Sequence, residues 1–141
     1  TSGCSRAETA PTFVSMFLLQ AAPEGPLAVA GTFASFALFL SITAHIAARN
    51  VLGDVPIRNA FVVGPVPAAV SVLVATFAAE NQLLIFAGIV AAIVLDGVAI
   101  RALYDESTRL AAYITFIHFV VSVILGTIVF GVWALAITAP G

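Results

Sequence analysis

Residues 83–109 read LLIFAGIVAAIVLDGVAIRALYDESTR, and the way this stretch is read decides the fold. An apolar run long enough to cross a bilayer, which takes about 20 helical residues, contains one carboxylate, Asp96, before it reaches its charged end. A lone charge in hydrocarbon costs on the order of 3 kcal/mol or more. The acid is therefore expected to face the inside of a small helical bundle, where a partner can meet it.

The composition of the whole chain agrees with lipid as solvent. Of its 141 residues, 62% are hydrophobic and only 9% charged, with a mean hydropathy of +1.16. A soluble domain has about a quarter charged residues, and a chain this short could not bury so much apolar surface in its own core. The net charge of −2 offers nothing to nucleic acid, which is bound through basic surfaces. All five basic residues are Arg, and there is no Lys, so Schiff-base chemistry is excluded. The single cysteine, Cys4, cannot form an internal disulfide.

Working outward from the 83–104 span, three further spans are expected, at 27–48, 60–79 and 110–139. Pro26 sits at the start of the first, where its missing N–H does no harm. Arg49 to Asn59 forms a polar loop, and Glu80, Asn81 and Gln82 make a turn so short that the second and third spans must be an antiparallel hairpin. Asp105 to Arg109 links the third span to the fourth. Residues 1–26 form an arm that lies along the interface or docks on the bundle. Alternatively, Met16 is the start and the residues before it are an added extension. The expected architecture is all-α, a four-helix transmembrane bundle with short loops. The arginines set its orientation. Arg49 and Arg58 fall in one loop and Arg101 and Arg109 flank another, so the positive-inside rule places both loops in the cytoplasm and both termini outside.

Helices in lipid associate through small residues and interhelical hydrogen bonds. Each span offers a stripe of small or polar residues at helical spacing: Ala34, Ala37, Ser41 and His45; Gly64, Ala68, Ser71 and Ala75; Gly88, Ala92, Asp96 and Ala99; Thr115, His118, Ser122 and Gly126. Asp96 and His118 both fall about 12 Å from the Arg-bearing ends at about 1.5 Å per residue, so they are expected to meet. The bland reading is an interhelical hydrogen bond worth about 1 kcal/mol. The sharper one is a proton-carrying site. His45, nearer the interface beside Arg49, and Arg101 are secondary polar candidates. Arg101 is expected to pair with Asp105, and Asp105 with Arg109. Gly64, Pro65 and Pro67 predict a kink at the start of the second span, because proline removes a backbone donor.

Several chemistries lack their residues. Two His, one intramembrane Asp and a remote Cys give no zinc-type ligand set, and a haem held by His45 and His118 would need ligands at unequal depths. No metal and no cofactor is expected. Asp96-Gly97-Val98-Ala99-Ile100-Arg101 resembles the opening of the signature of membrane CDP-alcohol phosphotransferases. Here Ile100 stands in place of Ala, and Leu110 and Ile114 occupy later signature positions, so the carboxylates that would hold a metal pair are missing. Small multidrug transporters share the four-span length but carry an essential acid in the first span, which this chain lacks.

Residues 16–141 resemble uncharacterised small four-span membrane proteins of halophilic archaea, through AARNVLGDVPIRNAFVVGPVP (47–67) and RLAAYITFIHFVVSVILG (109–126). That resemblance implies no activity. The expectation is a non-enzymatic membrane protein, an accessory or assembly component whose partners are the bilayer and either its own copies or a larger membrane protein. The alternative is a small proton-coupled transporter or channel using Asp96 and His118.

Overall fold

The computed structural model of the chain describes residues 25–78 and 80–139. The expected arm lies outside the described residues except for its last two positions. The described residues form helices joined by short turns: α1 (Pro26–Leu52), α2 (Ile57–Val63), α3 (Pro65–Phe77), α4 (Gln82–Tyr104) and α5 (Thr108–Thr138). Together α2 and α3 make one span, Ile57–Phe77, so four helices are long and apolar enough to cross a membrane. The first loop is shorter than the sequence suggested. α1 continues to Leu52 and stops at Gly53, whose φ of 85° suits glycine and whose N–H reaches the Arg49 carbonyl.

Local chemistry fixes the other ends. Asn81 caps α4, its side-chain oxygen accepting from the N–H groups of Leu83 and Leu84 at 3.1 and 3.2 Å. Ser107 caps α5 by accepting from Leu110 N–H. At the end of α4, Asp105 takes a left-handed conformation with φ 51°. The chain turns off the helix there, and this accounts for a departure from expectation. Among the described residues, Asp105 forms no ion pair with Arg101 or Arg109, and both arginines are exposed.

The second span divides at Gly64, although its φ of −57° and ψ of −41° remain helical. Pro65 and Pro67 have no N–H, so the carbonyls four residues earlier, on Phe61 and Val63, lack their usual helical donors. Gly64 also has a packing reason to be glycine. A Cβ there would collide with the Ser41 backbone, lying 2.7 Å from its Cα. α1 and the second span therefore cross in backbone contact at this point.

Around the bundle, α1 packs against the second span and α5, and α4 packs against the same two. The burial is uneven. Most of the buried residues lie between the Arg-bearing ends and the level of Asp96 and His118: Leu40 to Ala48 in α1, Ala60 to Ala68 in the second span, Asp96 and Ile100 in α4, and Ala111 to His118 in α5, with Ala37 a turn beyond. Small side chains dominate that half, with Ala44, Ala47, Ala48, Ala60 and Ala111 packed around Val63, Ile100 and Ile114. Toward the other end the buried residues run out, with Phe33, Phe36 and Phe39 packed against Ala37, Leu40 and Ala68. There α3 and α4 stay close beside their short turn, where a Cβ on Gly88 would collide with the Val74 side chain.

Candidate functional site

Where the tight packing ends, the polar residues gather. Asp96 on α4 and His118 on α5 are only 4% and 3% exposed. The Asp96 Oδ2 lies 2.8 Å from His118 Nδ1, the only side-chain ion-pair contact among the described residues. The other ring nitrogen, Nε2, reaches across to α1, 3.2 Å from the Leu40 carbonyl and 3.1 Å from Thr43 Oγ1. Ser122, one turn beyond His118, donates to the same Thr43 hydroxyl at 2.9 Å. Three helices are thus joined by one connected set of hydrogen bonds.

The contacts allow the protons to be assigned. The Leu40 carbonyl can only accept, so Nε2 carries a proton. Thr43 accepts from Ser122, and its own hydroxyl donates back to a carbonyl of α1, at Leu40 (3.1 Å) or Phe39 (3.3 Å). The remaining proton is the one between Nδ1 and Oδ2. Whether it resides on nitrogen or on oxygen, the pair sums to zero charge. Hydrocarbon tolerates a neutral pair far better than an isolated ion.

One polar atom of the centre is left over. Asp96 Oδ1 is buried and has no hydrogen-bond partner. Asp96 and His118 form the floor of a cavity of about 420 Å³ that lies on the far side of the pair from the arginines. Its walls are mainly apolar and aromatic, including Phe36, Phe39, Phe119 and Phe130, with Ser71 and Gly126 among the small residues.

The other sequence candidates are scattered. His45 is partly buried on the packed side, with its Nδ1 enclosed and unpartnered, and it makes no hydrogen bond to Asp96 or His118. Arg49 and Arg101 are exposed. Gly64, Pro65 and Pro67 belong to the α1 crossing, and only Pro67 of the three reaches the cavity wall. No three His, Cys, Asp or Glu side chains among the described residues could hold a metal ion. Sequence reasoning missed Thr43 and the Leu40 carbonyl. Their signal was a second α1 face, Phe36, Leu40, Thr43 and Ala47, beside the stripe chosen for its small residues. It also missed Asn59, whose side-chain N–H donates to the Leu103 carbonyl at 3.0 Å and ties α2 to the end of α4.

No curated protein and no solved structure shows significant similarity to this chain. Over residues 23–140 it matches a family of unknown function, DUF7473, and it belongs to that family.

Proposed function

We propose that this family member is a non-enzymatic integral membrane protein, an accessory or assembly component of a larger membrane complex. The ends of the bundle that bear Arg49, Arg58, Arg101 and Arg109 would face the cytoplasm with both termini outside, and its bilayer would be that of a halophilic archaeon. In this reading the Asp96–His118 centre is a clasp that fixes which helix faces meet. The carrying observation is the shape of α5. Its 31 residues extend about 46 Å at 1.5 Å per residue, against a hydrocarbon thickness of about 30 Å. Beyond His118 none of its described residues is buried. Ile124, Ile128, Val132 and Leu135 lie exposed along one side, a surface suited to a second membrane helix.

Purification from native membranes in mild detergent tests this. A stoichiometric partner protein or a second copy, released by Ile128→Trp, is expected. A chain that runs alone and drives pH-linked flux in liposomes, abolished by Asp96→Asn, would favour instead a small proton-coupled transporter. The specific observation behind that second reading is the proton shared by Asp96 and His118 beside a cavity.

A further inference from the structure

The cavity over Asp96 has a one-sided hydrogen-bonding character. Each donor on its wall is already engaged: Ser71 with the Pro67 carbonyl, Thr115 with that of Ala111, Thr127 with that of Val123, Ser122 with Thr43, and His118 with Asp96 and α1. Among the wall's polar atoms, the buried one without any partner is Asp96 Oδ1, on a residue more than nine-tenths buried. A buried acceptor without a partner is a standing cost that a donor would relieve. A molecule fitting the cavity must therefore be apolar along its body and offer a donor at its head. The head should also be uncharged. Asp96 and His118 already cancel each other, so a cation would bring a net charge into hydrocarbon.

We infer that the cavity between α1, α3, α4 and α5 binds a membrane-soluble neutral alcohol or phenol, whose hydroxyl donates to Asp96 Oδ1 and whose apolar body lies among Phe36, Phe39, Phe119 and Phe130. The site goes beyond the assembly role and does not depend on it, because the ligand sits inside one chain and leaves the outer side of α5 uncovered.

The test uses the full chain in lipid nanodiscs, with 1-dodecanol as probe and its methyl ether and dodecylamine as comparisons. Retained probe is counted by mass spectrometry, and the Asp96 carboxyl band is followed by infrared difference spectroscopy. Dodecanol should bind one per chain, about tenfold more tightly than the ether, as expected for loss of one hydrogen bond to a carboxylate, and should shift the carboxyl band. Gly126→Leu fills the cavity from a position where a first side-chain carbon meets only Phe39, at 3.8 Å. It should abolish retention while the Asp96–His118 band persists, which separates a blocked site from an unfolded chain. Equal retention of alcohol and ether, preference for the amine, an unmoved carboxyl band, or undiminished binding by Gly126→Leu would each overturn the inference. None of these outcomes bears on whether the chain co-purifies with a partner.

Discussion

On the Arg-bearing side of Asp96 and His118, the four spans press together through alanine and glycine, with Ala47, Ala60, Val63 and Ile114 wholly enclosed. On the far side the same helices carry phenylalanine and line a cavity of about 420 Å³, while α3 and α4 remain in close contact at Gly88 and Val74. Hydrophobicity does not draw the line between packed and open, since the open half is the more apolar of the two, with no polar side chain from Leu83 to Leu95. Side-chain size does. In lipid, apolar groups gain little by leaving acyl chains for one another, and close approach of backbones supplies the attraction. Residues without bulk make a core, and residues with bulk hold helices open. The polar centre sits at the junction, where helices are close enough for Asp96, His118 and Thr43 to reach one another and open enough for Asp96 and His118 to line the cavity.

Substitutions matched across the junction should separate the halves. The largest effect is expected from Gly64→Leu, because its new side chain meets the Ser41 backbone and neither helix can yield without losing the crossing. A loss of about 3 kcal/mol or more in detergent-titrated unfolding is expected, whereas Gly126→Leu, whose first side-chain carbon is in ordinary contact with Phe39 and whose remainder enters the cavity, should change little. Equal sensitivity at the two glycines would erase the distinction. Next comes Ile114→Ala, which opens a void in the packed half and should cost about 2 kcal/mol. Ile93→Ala, at a partly lipid-exposed cavity wall, should cost less than half of that in the same unfolding assay.

A smaller effect belongs to the junction itself. A double-mutant cycle with Asp96→Ala and His118→Ala should give a coupling of about 1 kcal/mol, the usual scale of interhelical hydrogen bonds in membranes. Simple additivity would mean that the two side chains stabilise the fold separately. Smallest and most local is Asn81→Ala, which removes the cap from α4. It should cost under about 1 kcal/mol and loosen amide exchange at Leu83 and Leu84 without disturbing Asp96.

The helices and the meeting of Asp96 with His118 were legible in the sequence for the same reason. Long apolar runs have one stable form in lipid, and two ionisable groups at equal depth on inward stripes have few places to go. The interfacial ion pairs were misread because i,i+4 spacing presumes a continuing helix, and Asp105 leaves it with a left-handed turn. Thr43 escaped notice because the stripe through Ala37 and Ser41 was read as the inward face of α1, and Thr43 lies on the adjacent face with Phe36, Leu40 and Ala47. Gly64 and Ser41 each stood on an inward stripe of small residues, but that they meet each other, 23 positions apart, is a matter of how the two helices cross, which local spacing does not give. The cavity could not be read at all. Its existence depends on how far four helices diverge, and periodicity fixes which faces meet but not how closely.

The account rests on one proton held between two side chains deep in the bundle. Solid-state NMR on the full chain in bilayers, with ¹⁵N-histidine and ¹³C-aspartate, reads that arrangement directly. A strong dipolar correlation between His118 Nδ1 and the Asp96 carboxyl carbon, with Nε2 protonated, is predicted. An Nε2 without a proton, or a ring showing no correlation to Asp96, would contradict it.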